Sequence, residues 1–322
     1  MTDRMMLGKK GIFFTLIAVS LLSIILFSYS VMYSYSLQDK AAVIETRVET
    51  MNSFMRAIDE DMENAIYISG YRSIVGLTDY VVTYGDYVND STTALSELFL
   101  NGTINGTTSS FMVNNTMLYW ADRIKDKGIE VGINLSIAIG SVSIYQKDPW
   151  EVSFDVDAEI NMTDQKATAN WSKQASLSYD IPILGFEDPW YAVNTNGLIL
   201  KRINESIYDL NFSQGNETGN FLDHVANTYY IAFNASPDFL SRFENDFTPS
   251  TYGIESIVNK SEILNFCTLS TSSVDNICWK QDIGIETFSI RNMSGTDVRI
   301  DNETNDAGQN RIARYGLQDV VY

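Results

Sequence analysis

Residues 11–38 read GIFFTLIAVSLLSIILFSYSVMYSYSLQ and contain no charged side chain. The core from Ile12 to Phe27 is broken only by Thr15, Ser20 and Ser23. A bilayer span needs roughly 20 apolar residues, so the run is long enough to cross. Tyr29, Tyr33 and Tyr35 follow it, where interfacial aromatics are expected. Two other readings compete. A cleaved secretory signal has an apolar core of only about 7–15 residues, and the nearest small-x-small site, Ser28-Tyr29-Ser30, is poor. A buried core helix would have to be apolar all round for many turns. A retained span fits best. Arg4, Lys9 and Lys10 precede it, which places the N-terminus in the cytoplasm and the rest outside. The expected layout is a cytoplasmic leader at 1–10, a transmembrane helix at 11–38, a helical stalk at 39–76 and an extracellular α+β domain at 77–322.

Downstream of the span, apolar residues recur at Ile44, Val48, Met51, Met55, Ile58, Met62 and Ala65, in alternating steps of four and three. That is a heptad seam. With no Gly between Gly11 and Gly70, one helix is expected from the membrane to about Gly70 or Gly76, roughly 90 Å of rod. The seam suits packing on the protein's own domain or against other subunits. Weaker helical character continues over 77–88. A Gly/Thr/Asn loop follows at 101–110, then an amphipathic helix over 112–127 with Met112, Leu118, Trp120 and Ile124 on its apolar side.

The period then changes to two. Val131, Ile133, Leu135, Ile137 and Ile139 alternate with polar or small residues, as do Val152, Phe154, Val156, Ala158 and Ile160, and then the odd-numbered residues from Ala169 to Ile183. Turn residues at 147–149 and 163–165 separate the runs, which predicts an antiparallel meander over 131–184 with one wet face. Ile133, Leu135, Val152, Phe154, Val156, Trp171 and Leu177 are expected inside. The last third is mixed: helical spacing over 198–210, strands near 228–233, 273–278 and 283–290, a short helix over 237–247 capped by Asp238 or Ser236, and a polar loop at 301–309.

Composition excludes several functions. The net charge of -19 disfavours nucleic acid, whose phosphates require clustered Lys and Arg. One histidine and two cysteines leave no ligand set for a His/Cys metal cluster. The chain has 26 asparagines and 56 serines and threonines, from which chance gives about 4.5 Asn-x-Ser/Thr triplets. There are 14. Thirteen are candidate glycosylation sites: Asn89, Asn101, Asn105, Asn114, Asn134, Asn161, Asn170, Asn204, Asn211, Asn216, Asn259, Asn292 and Asn302; Asn234 is weakened by Pro237. A plain Ser/Thr-rich surface is the other reading. Asn134, Asn161 and Asn170 share the polar parity of their strands, which supports the register. Outside the cell, Cys267 and Cys278 would form a disulfide closing a hairpin-like loop; two buried thiols are the alternative.

No constellation points to catalysis. Asp155, Asp157 and Glu159 line one strand face, as solvated rows of carboxylates commonly do. Asp301, Glu303, Asn305 and Asp306 suggest a calcium loop, but Gly308 and Ile312 fall where that pattern requires other residues. Glu187-Asp188-Pro189-Trp190 reads as a turn with a packed Trp, and His224 as a histidine without a catalytic partner. No cofactor is implied.

Lys9-Lys10-Gly11-Ile12-Phe13-Phe14-Thr15-Leu16 resembles the class III signal of archaeal type IV pilin-like proteins. The resemblance implies cleavage between Gly11 and Ile12, and a helix that packs in a filament or stays in the membrane. Bacterial pilins carry Glu at the fifth mature position, where this chain has Leu16. The stretches 66–72, 187–197 and 252–256 resemble archaeal surface proteins with one helix and a β-domain, which carry no assigned activity. The expected function is a non-catalytic, pilin-like surface component whose partners are membrane lipid and other pilin-like subunits. An anchored adhesion or ligand-binding module, using loops such as 101–110, comes second, and an ectoenzyme last.

Overall fold

The computed structural model describes residues 4–208, 212–213, 217–263, 267, 271–280, 284–293, 296–305 and 307–322. Helix α1 (Arg4–Tyr84) is followed by α2 (Ser91–Asn101), strands β1 (Thr103–Ile104) and β2 (Thr107–Thr108), α3 (Met117–Glu130) and a meander of β3 (Ile133–Asp148), β4 (Glu151–Asp164) and β5 (Asn170–Pro182). Short elements complete the chain: α4 (Pro189–Asn194), α5 (Gly219–Asn227), β6 (Tyr230–Ala232), α6 (Phe239–Arg242), β7 (Ile254–Ser256), α7 (Asp275–Lys280), β8 (Thr287–Ser289), β9 (Arg299–Asp301) and α8 (Arg311–Arg314). The class is α+β, with a long N-terminal apolar helix and small antiparallel sheets.

At 1.5 Å per residue the 81 residues of α1 extend roughly 120 Å. The helix passes through both Gly70 and Gly76, where the sequence suggested an end, and stops at Gly85, whose φ of +65° an L-residue rarely adopts. Gly70 serves close approach instead: a Cβ there would run into Ile181 Cδ1 and the Phe154 ring. The stalk is not free. Met51, Met55, Ile58, Met62 and Ala65 are all buried, so the heptad seam from Met51 onward packs on the protein's own domain. α1 follows β5 upward, pairing Asp59 with Lys173, then Tyr67 with Tyr179.

The meander has the predicted order and sense, β3-β4-β5, all antiparallel. Ile133, Leu135, Val152, Phe154 and Val156 are buried. Trp171 is not; it keeps 41 % exposure. It pairs with buried Met162 and so has the inward parity, but it lies at the start of the edge strand. Leu177 on the same strand is half-buried. Leu118, placed on the apolar side of the second helix, is 45 % exposed, because α3 begins only at Met117 and turns Trp120 and Ala121 inward. The expected loop at 101–110 contains the β1–β2 ribbon, whose amides at Asn105 and Gly106 donate to Glu97.

The short elements depart from expectation. Of the expected helix at 198–210, residues 198–208 are not helical and the rest lies outside the described residues; Arg202 and Glu205 instead bridge to Glu187 and Tyr230. Residues 275–280 form α7 rather than a strand. At Glu187–Trp190 the expected packed Trp is present, Trp190 being fully buried, but the turn is a helix start, with Asp188 capping α4 through the Trp190 amide and Pro189 in its first turn. Cys267 and Cys278 are bonded, Cα atoms 5.4 Å apart, so the bridge ties a loop to α7 and not two hairpin arms. Asp238 caps α6 as expected.

Candidate functional site

The exposed part of α1 is the largest surface with an evident use. From Gly11 to Tyr35 every residue is exposed; Ile12 is 68 % accessible, Phe27 73 % and Met32 75 %. Among the described residues this is the one helix long and apolar enough to cross a membrane. Two of its hydroxyls bond within the helix: Thr15 Oγ1 donates to the Ile12 carbonyl and Ser23 Oγ to that of Val19. The helical backbone and these two hydroxyls are compatible with an apolar medium. Gly11 and Ile12, the bond the signal resemblance marks for cleavage, lie inside this helix, with nothing within 4 Å of a Cβ built on Gly11.

Arg47 marks where the domain begins. Its Nε and Nη2 donate to Asp164 Oδ1 at 2.9 and 2.6 Å, and its Nη atoms also reach the carbonyls of Val131 and Gly132. Asp164 further accepts from the Thr168 hydroxyl and the Lys166 amide. The Thr168 hydroxyl and Arg47 lower its pKa to about 2. This clamp fixes the emerging helix to the β4–β5 turn.

Of the sequon asparagines, Asn89, Asn101, Asn105, Asn114, Asn134, Asn170, Asn204, Asn292 and Asn302 are exposed. Asn161 and Asn259 are half-buried, and their amide nitrogens donate to Glu159 and Glu262. Asn211 and Asn216 lie outside the described residues, as does Asp306.

The groups suited to chemistry are mostly buried. Arg242 Nη1 donates to Asp188 Oδ2 at 2.6 Å and Asp275 Oδ2 at 3.1 Å; Tyr230 also donates to Asp188, and Ser256 to Asp275. Burial alone would lower the Arg242 pKa, but the two carboxylates outweigh it and raise it. Burial raises that of Asp188 against the pull of Arg242. A second cluster joins Arg311 to Glu255, Asp301 and Glu303. Two carboxylates of the suggested calcium loop are thus spent on an arginine. His224 is fully buried among Phe212, Phe221 and Tyr315, its Nδ1 beside Ser206 Oγ, and burial lowers its pKa to about 3. Asp155, Asp157 and Glu159 lie on the outer sheet face, bonded to Tyr145, Ser141 and Asn161.

Sequence reasoning missed Arg242, Arg311, Asp275 and Glu255, and named Asp188, Asp301 and Glu303 without seeing an arginine beside them. One signal was present: Phe239-Leu240-Ser241-Arg242-Phe243 and Ile254-Glu255-Ser256-Ile257 each set a charge within a short apolar run, where it would be buried and need a partner. No protein-family model, no curated protein and no solved structure matches this chain.

Proposed function

We propose that this chain is a pilin-like, membrane-anchored structural component of a cell surface, non-catalytic, with its N-terminus in the cytoplasm and its domain outside. The observation that carries this reading is the continuity of α1. One uninterrupted helix presents an exposed apolar surface from Ile12 to Tyr35, and its other half is built into the domain. Such a helix transmits position from membrane or filament to domain without a hinge. The seam beyond Met51 is occupied within the chain, so assembly would use Ile12 to Ile44. Nine exposed sequons and a disulfide suit an oxidising, glycosylating exterior.

Sequencing the mature N-terminus and probing sheared surface filaments for the chain tests the proposal. Ile12 at the N-terminus and recovery with filaments are expected. An intact Met1 on a protein confined to membranes would sink the processed-pilin form and favour an anchored binding module.

A further inference from the structure

A groove of about 270 Å³ opens beside the distal half of α1, where three segments meet. Tyr71 comes from α1, Phe111 from the turn after β2, and Phe186 from the segment before α4. Tyr71 and Phe186 pack with ring centroids 4.9 Å apart; Phe186 is buried, while Tyr71 and Phe111 keep 44 % and 38 % exposure. Asp79, Glu187 and Arg202 complete the lining. Among the described residues none of these three side chains has a hydrogen-bond or ion-pair partner. Yet Glu187 and Arg202 face each other across an antiparallel bridge fixed by Asp188 N to Lys201 O and Ile203 N to Phe186 O, both 2.8 Å. Arg72 ties the opposite wall to α1 through the Phe111 carbonyl at 3.3 Å. The site is therefore preorganised and amphipathic, with aromatic faces beside unspent planar polar groups.

We propose that this groove binds a neutral saccharide. A pyranose has an apolar C–H face, which Tyr71 and Phe111 would cover, and a rim of hydroxyls that both donate and accept. Asp79 and Glu187 only accept and Arg202 only donates, so together they satisfy such a rim. Two carboxylates against one guanidinium disfavour an anionic ligand. Tyr71 lies 36 residues beyond Tyr35, roughly 50 Å along the helix, so the groove is far from the apolar end. The inference goes beyond the structural role and does not depend on it, since an anchored and an assembled chain present the same groove.

Saturation-transfer NMR on the full chain in detergent micelles tests it. The probes are the methyl glycosides of glucose, galactose and mannose, N-acetylglucosamine, and tetramethylammonium as a cationic control. At least one sugar is expected to bind at about 1 mM, as befits so small a ligand. Tyr71→Ala and the pair Glu187→Gln with Arg202→Gln should each weaken it about tenfold, as losing a stacked ring or charged hydrogen bonds does. Lys127→Ala, in a different groove, should leave it unchanged. Arg202 is exposed, so its replacement does not put folding at risk. No transfer to any sugar, transfer to tetramethylammonium alone, or undiminished sugar binding in the paired variant would overturn the proposal.

Discussion

Around α1 and the sheet, long periodic elements bury Met51, Ile58, Met62, Phe154 and Ile160, and the cations stay partly exposed even where, as at Asp164, the partner is buried: the side chains of Arg47 and Lys173 keep 29 % and 40 % exposure. Beyond Asp188, among the described residues, no helix exceeds nine residues and no strand three, and the charges sit at the centre, with Arg242, Asp188, Asp275, Arg311, Glu255 and Asp301 all fully buried. Short elements explain the contrast. They end often, and every end leaves amides and carbonyls without a partner. The buried charges collect them: Arg242 donates to the Ile254 carbonyl, Arg311 to that of Ala235, and Asp275 accepts from the Ser256 amide. β7 and the residue after it form the seam, with Ile254 in the larger apolar cluster and Ile257 in the smaller.

The contrast breaks most sharply at the arginines. Arg242→Met leaves Asp188 and Asp275 buried without their cation and should cost about 3–5 kcal/mol, whereas Arg47→Met, at a partly exposed pair, should cost about 1 kcal/mol. Denaturant unfolding of both variants measures the gap; equal losses would refute the assignment of the two networks. Next in size is the Cys267–Cys278 bridge. Replacing both by Ser should cost about 3 kcal/mol, the value for a loop of this length. Hydrogen exchange should show the loss around α7 and leave the meander protected.

Gly70→Val probes the other half. The new side chain meets Ile181 and Phe154, and overpacking of this kind costs about 1–3 kcal/mol. Its melting temperature should fall, while Gly11→Val, where nothing lies nearby, should leave the domain unchanged.

The smallest effect is a difference in pH response. Hydrogen bonds hold Asp164 below its unfolded pKa, so its stabilisation is complete above about pH 4 and fades as pH falls toward about 2. Burial raises Glu255 and Asp188 against the pull of Arg311 and Arg242; the contribution of such a raised group is full below the unfolded pKa and is lost as pH rises through the raised one. Glu255→Gln keeps a neutral group there and should reduce the decline in melting temperature as pH rises above the ordinary glutamate range. An unaltered slope would remove Glu255 as its source.

Legibility followed element length. The heptad from Ile44 to Ala65 and the alternation from Ile133 to Ile160 repeat often enough for the sequence to predict both elements and the sheet's inward face; what the heptad packs on was left open, and it is buried only from Met51, Ile44 being exposed. Helix ends were misjudged because a glycine at a close approach, Gly70, reads like a glycine at a terminus. Trp171 had the right parity, but parity does not reveal how far a covering helix reaches. In the last third, Asp275-Asn276-Ile277-Cys278 has too few residues to express a period. The groove was invisible, since Tyr71, Phe111, Glu187 and Arg202 are brought together only by the tertiary fold.

One helix is held to join two environments, apolar surroundings up to Tyr35 and the packed domain from Arg47. Trypsin added to intact cells, followed by mass analysis of released and retained fragments, tests that join directly. Lys40 is exposed, whereas Arg47 is clamped to Asp164, so the first cut should follow Lys40, releasing the folded domain and leaving the apolar segment behind. A domain cut only after lysis would reverse the orientation, and first cuts between Arg47 and Tyr84 would contradict the packing of α1.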